Sequence, residues 1–145
     1  MKAVIQRVNK ASVTVDGSRI AEIQKGLLVL LGVRKGDTDE KTKELADRCA
    51  NLRIFEDDKG KFNLSLIDTK GEALVVSQFT LLADVAKGRR PSFSDAEEPE
   101  HAKKLYESFI TYLRELGIPA KGGVFGARML VSLDNNGPVT LILEV

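Results

Sequence analysis

The sequence predicts an α+β fold, with mostly antiparallel β-sheets packed against two main helices, in a single domain spanning residues 1–145. Three observations lead there. Many segments have strand length and apolar or alternating character, only two stretches carry helical spacing, and strands and helices do not alternate strictly along the chain. With 43% hydrophobic and 30% charged residues, the chain can bury one sizeable core.

Residues 3–15, "AVIQRVNKASVTV", alternate apolar with polar side chains, and "DGS" at Asp16 to Ser18 supplies a turn before "RIAEI", so the chain opens on a β-hairpin. "GLLVLLGV" is apolar on both faces, which suits a central strand covered on both sides. A helix follows, capped by Asp37 or Thr38, with acidic residues in its first turn and Leu45, Cys49 and Leu52 at helical spacing, ending near Asn51. "LRIFEDDKGKFNLSL" reads as a strand, a turn and a return, and "EALVVSQFTLL" as a further buried strand beginning near Leu74. Periodicity is lost between Val85 and Pro99, in a long loop containing "KGRRPSFSD". "PEHAKKLYESFITYLREL" is an amphipathic helix with Ala102, Leu105, Phe109, Tyr112, Leu113 and Leu116 on its inner side, closed by Gly117 and Pro119. The remainder supplies the last strands, with "NNGPVT" between two apolar runs as a tight turn.

Composition excludes several classes of function. A net charge of +1 does not announce a nucleic-acid binder, so any RNA contact must come from a local patch. The single cysteine, Cys49, rules out an internal disulfide and a cysteine-based metal cluster and suits a reducing, cytoplasmic setting. No apolar run reaches the length of a membrane span, and the N-terminal stretch has no long apolar core, so a soluble, unprocessed protein without membrane partners is expected. No metal-ligand spacing and no phosphate-binding glycine loop occur, so no cofactor or metal is expected. The only histidine, His101, opens the second helix four residues after Glu97 and reads as a surface side chain rather than a triad member.

Four stretches remain. "SQFT", Ser77, Gln78, Phe79 and Thr80, places polar and aromatic groups where a buried strand should continue; it is either a strand end with satisfied hydroxyls or part of a site. "KGRRPSF" gathers Lys87, Arg89 and Arg90 beside an aromatic, as a phosphate contact or a solvated loop. "GGVFGARM" has glycines that let backbone approach a ligand, with Phe125 and Met129 able to pack on a flat ring, or it is a β-bulge beside the core. In "NNGPVT", Gly137–Pro138 is an X-Pro linkage, the one kind for which cis costs little, and it can aim carbonyls in directions other dipeptides do not reach cheaply.

Taken together, "AVIQRV", "GLLVLLGV", "LRIF", "VVSQFTLLAD", "GRRPSF", "FGARM" and "NNGPVT" resemble, in order and spacing and from end to end, the D-aminoacyl-tRNA deacylases. The resemblance implies a homodimeric cytoplasmic enzyme that hydrolyses the ester between a D-amino acid, or glycine, and the 3′ end of tRNA. It further implies that Gly137–Pro138 is cis and reaches into the partner subunit's pocket, facing a wall formed by Ser77 to Thr80. Arg7 matches the arginine that orients the Gly-Pro carbonyls, and Phe125 and Met129 match positions near the terminal adenosine. Arg128 departs from the pattern, standing where many relatives carry a small or acidic residue.

Overall fold

The computed structural model describes residues 1–145. In chain order it contains β1 (Lys2–Val15), β2 (Ser18–Ile23), β3 (Gly26–Gly32), α1 (Asp39–Asn51), β4 (Phe55–Glu56), β5 (Phe62–Leu64), β6 (Glu72–Ser77), α2 (Pro99–Glu115), β7 (Ala120–Gly122) and β8 (Leu130–Glu144). The opening hairpin forms as its turn residues require: Asp16 and Gly17 take φ of 49° and 76°, the left-handed pair that matches strand twist.

β1 pairs antiparallel with β2, β3 and β8, whereas β3–β6 and β6–β7 are parallel. The sheet is thus mostly antiparallel, as expected, with parallel pairs where a helix lies in the connection. α1 lies between β3 and β6, and α2 between β6 and β7; such crossovers return the chain in its original direction, which a tight turn cannot do. Both helices contribute to one core cluster, and β3 alternates across the sheet. Leu27, Val29 and Leu31 face that cluster, while Leu28 joins Leu74 and Val76 in a smaller one. The central strand is therefore covered on both sides, as its unbroken apolar run requires.

Thr38 rather than Asp37 caps α1, its hydroxyl accepting from Lys41 N at 3.3 Å. Asp37 is buried instead, accepting from Arg34 N at 2.6 Å and pairing with the Met1 ammonium at 2.8 Å. Cys49 lies on the inner face of α1, where burial pushes its thiol up to about 12. The native protein is therefore expected to leave Cys49 unlabelled by a thiol reagent at mildly alkaline pH, because the thiolate is the reactive form. Labelling at the rate of an unfolded control would show that α1 detaches from the core.

The inner face of α2 differs from the expected one. Ala102, Leu105, Phe109 and Leu113 are buried as predicted, but so are Tyr106 and Ile110, while Leu116 is exposed at the C-cap and Tyr112 is only partly buried. Tyr106 can enter the core because its hydroxyl donates to Val75 O at 2.9 Å. Tyr112 turns outward to donate to Asp39 at the start of α1.

The C-terminal segment is no hairpin. Leu130–Leu133 and Thr140–Glu144 pair with the same strand, β1, and between them β8 advances five residues, Asn135 to Thr140, while β1 advances two, Val8 to Gln6. "NNGPVT" is a wide bulge that leaves and rejoins one partner. β1 carries its own irregularity between Val8 and Ala11, and its inward side switches there. Ala3 and Ile5 belong to the helix-side core, whereas Val8, Ala11 and Val13 belong to the other.

Candidate active site

The expected "SQFT" strand ends early. Only Ser77 belongs to β6, and Phe79–Leu82 form a 3₁₀ turn. Gln78 makes the transition, its N–H still donating to Leu31 O at 2.8 Å, before Leu81 N bonds back to Gln78 O at 3.2 Å. Gly32 allows the turn to lie across the end of β3, since a Cβ there would stand 2.4 Å from the Leu82 side chain. Phe79 is thereby lifted off the sheet. It is 56% exposed and meets the Phe93 ring edge-on at 5.0 Å between centroids, which draws the loop following Val85 to the same place. Reciprocal backbone bonds between Asp84 and Ser92, at 2.7 and 2.9 Å, hold the base of that loop.

Beside the turn lies a cavity of about 470 Å³ lined by Ser77, Gln78, Phe79, Phe125 and Met129 over an apolar floor that includes Leu31 and Val76. The fold thus brings together residues from two of the singled-out stretches. In "GGVFGARM", Gly122 and Gly123 serve packing rather than ligand approach. A Cβ would stand 2.5 Å from the Tyr106 hydroxyl at the first and 2.6 Å from Met129 Sδ at the second. Gly126, with φ of 77° and open space around it, is the glycine of this run whose conformation matters at the cavity wall.

Thr80 does not line this cavity. It is exposed, and its hydroxyl oxygen accepts from Gln78 Nε2. Neither end of a carboxamide is a general base, so that contact fixes the hydroxyl without activating it. The one charged side chain in the lining is Glu97. Backbone N–H donation from Glu98, then the contact with His101, holds its carboxyl below the usual range. His101 Nδ1 lies 3.2 Å from Glu97 Oε2 on the exposed start of α2, so the histidine is a surface residue as expected.

Gly137 and Pro138 lie outside this cavity within the chain. Their peptide bond is cis, and Gly137 has φ of 137°. Asn135 closes the bulge, its Oδ1 accepting from Val139 N and its Nδ2 donating to Thr140 Oγ1, both at 2.9 Å. Arg7 supports it from the core: Nε donates to Asn136 O at 3.0 Å and Nη1 to Ile54 O at 2.8 Å. The arginine therefore grips the carbonyl just before the Gly-Pro pair, not the carbonyls of the pair.

The family model described as D-Tyr-tRNA(Tyr) deacylase matches residues 4–144. The chain belongs to this family. It is 57% identical to a D-aminoacyl-tRNA deacylase of Aquifex aeolicus (strain VF5), an alignment covering 99% of this chain and 97% of the relative. Identity to the D-aminoacyl-tRNA deacylase of Roseiflexus castenholzii is 61%, over 99% of this chain and 92% of the relative. A solved structure described as c-Myc DNA Unwinding Element Binding Protein superposes with a TM-score of 0.93 at 45% identity, covering 100% of this chain and 99% of that one.

In this D-Tyr-tRNA(Tyr) deacylase family member, Lys87, Arg89 and Arg90 are exposed on the loop after Val85 and line none of the cavity. No helix is long and apolar enough to cross a membrane. β8 lies at the edge of the sheet, its only pairing partner being β1, and it exposes Leu130 by 67% and Ile142 by 66%. Two residues outside the expected site set also shape the site. Asn135 carried a readable signal, because an Asx side chain ahead of Gly-Pro favours such a closure. Glu97 carried none, since only tertiary packing of α2 brings it to the cavity.

Proposed function

We propose that this family member is a D-aminoacyl-tRNA deacylase. It hydrolyses the ester joining a D-amino acid, or glycine mischarged on alanine tRNA, to the terminal adenosine, releasing free tRNA. The reaction is carried by one domain over residues 1–145, acting as a cytoplasmic homodimer. The observation that carries the reading is the division of the site: the neutral cavity wall at Ser77, Gln78 and Phe79 and the rigid Gly137–Pro138 bulge occupy separate places in one chain. The bulge sits on the edge strand with exposed apolar side chains, the kind of edge that a second copy covers. Across a two-fold axis, Gly137–Pro138 of one protomer faces the other's cavity.

In that arrangement main-chain carbonyls of Gly137 and Pro138 hold the substrate's α-ammonium and occupy the space an L side chain would need. Selection comes from exclusion, and glycine, having nothing to exclude, is accepted. Phe125 and Met129 pack against the terminal adenine, and Lys87, Arg89 and Arg90 contact RNA phosphates. Water supplies the nucleophile. The adjacent ribose 2′-OH orients it, its oxygen bonds to the ester carbonyl carbon, the bond to the ribose 3′ oxygen breaks, and that oxygen takes the proton. Backbone N–H groups near Phe79 and Thr80 stabilise the oxyanion, with Ser77 and Gln78 placing the ester. The unactivated Thr80 hydroxyl supports positioning over attack.

The test is deacylation of matched D- and L-tyrosyl-tRNA by purified protein. Rapid cleavage of the D ester, slow or no cleavage of the L ester and measurable cleavage of glycyl-tRNA are expected; comparable D and L rates would refute the role. In the same assay Thr80→Ala should keep substantial activity, and near-complete loss with the fold intact would make Thr80 the nucleophile. Substrate ending in 2′-deoxyadenosine should react far more slowly. The DNA-binding description of the 45% identical structure favours a second reading, non-catalytic nucleic-acid binding. That reading predicts no turnover, affinity for uncharged RNA and indifference to substitution of Gly137.

A further inference from the structure

Arg128 is a charged side chain that the proposed reaction leaves without a task. It sits between Ala127 and Met129, both of which line the cavity, yet it does not line the cavity itself. It lies in the irregular segment just before β8, and it is exposed. No salt bridge of the chain involves it, from the Met1–Asp37 pair to the helix pair Lys104–Glu100.

The cavity's own charge makes that placement informative. Its lining holds no cation, and its single charged group is the carboxylate of Glu97. Such a cavity accepts a neutral nucleoside and repels a phosphate, because anion and anion in a largely apolar recess attract nothing. A terminal nucleoside is nevertheless joined to the rest of its strand by a phosphodiester. That group must sit outside the lining, where a guanidinium offers paired donors matched to phosphate oxygens.

We infer that Arg128 is a binding residue for the phosphodiester linking the terminal nucleoside to the nucleotide before it, at a rim subsite separate from the ester-holding wall. The subsite rests on the proposed reading that the cavity takes the tRNA 3′ end. It makes Arg128 a contributor to capture of the polynucleotide, with no part in breaking the ester. Its contact is local to the acceptor end, whereas Lys87, Arg89 and Arg90 lie on a separate loop.

Arg128→Gln separates these roles when assayed on two substrates, D-tyrosyl-tRNA and the D-tyrosyl ester of adenosine, which has no phosphate. On the tRNA, kcat/KM is expected to fall about tenfold at low salt, chiefly through KM, and the slope of log kcat/KM against log salt to flatten by about 0.7, one single-strand phosphate contact. On the adenosine ester, kcat/KM should be unchanged, and Arg128→Lys should recover part of the loss on tRNA. An equal fall on both substrates, or no fall on tRNA, overturns the inference. If the unsubstituted protein cleaves neither substrate, the proposed reaction fails instead, and the two failures are distinguishable.

Discussion

Gly137→Ala is expected to cut deacylation of D-tyrosyl-tRNA by about a hundredfold or more, the penalty for displacing a positioning group by roughly an ångström. The added Cβ would stand 2.7 Å from Val139 Cγ2, 3.0 Å from Val139 N and 3.2 Å from Arg7 Nη2. The φ of 137° lies where only glycine is at ease, so the strain, about 1–3 kcal/mol, persists even if the side chains move aside. Because the chain is anchored on both sides of the Gly-Pro pair, Asn136 O to Arg7 and Val139 N to Asn135, the bulge relieves itself by shifting the carbonyls. Paired measurements of kcat/KM and of the urea midpoint check this. The expected result is a large loss of rate, or of D-over-L selectivity, beside a stability loss of no more than about 3 kcal/mol. Unchanged rate and selectivity would detach the Gly-Pro segment from the chemistry.

Arg7→Met is expected to damage both stability and rate. Methionine keeps an apolar stem in the space but supplies no donor, leaving Ile54 O and Asn136 O without their side-chain partner. The buried acceptor, Ile54 O, costs about 1–3 kcal/mol when so abandoned and the part-buried Asn136 O costs less, so the expected loss is about 2–4 kcal/mol. The Glu56 contact is a lesser matter, at 3.6 Å with its carboxylate side chain 54% exposed, where water screens the attraction. The lost hydrogen bonds to carbonyls, rather than the lost ion pair, decide the outcome. Arg7→Lys should rescue only part of it, because an ammonium cannot reproduce the fork that reaches two carbonyls in different directions. Equilibrium urea unfolding reads the stability, and the D-tyrosyl-tRNA assay reads the rate under conditions where the variant remains folded. An Arg7→Met protein as stable as the parent would show that the two carbonyls find other donors.

Local chemistry made much of the fold legible. Asp16 and Gly17 specify their turn with no help from elsewhere, Thr38 stands where a cap is needed, and the two-faced apolar run of β3 states its own burial. Features defined by a distant partner were less readable. "NNGPVT" has the residues of a hairpin turn, and only the long reach of β1 along both flanks makes it a bulge. "SQFT" continues an apolar pattern into Phe79, Leu81 and Leu82, and nothing in that pattern says that Gly32 on another strand leaves room for a 3₁₀ turn. The inner face of α2 departs from its sequence pattern at Tyr106 for the same reason, since its burial depends on a carbonyl of β6 and on the absent side chain of Gly122. At the site, residue types and order mark out stretches, two of which the fold brings to one cavity, but the separation of that cavity from Gly137–Pro138 and the arrival of Glu97 belong to packing.

The pairing of β1 with β8 also sets when a chain can become competent. Arg7 and Asn136 are 129 positions apart in sequence, so the grip on the bulge is among the most non-local contacts in the molecule. Contacts of that span close late and slow folding. A nascent chain can form the opening hairpin and dock its helices while the segment carrying Gly137 is still being made. During that interval the outer edge of β1 stands open to any strand that fits it, including another molecule's β8. Exchange of β8 between chains is thus the misassembly this topology invites.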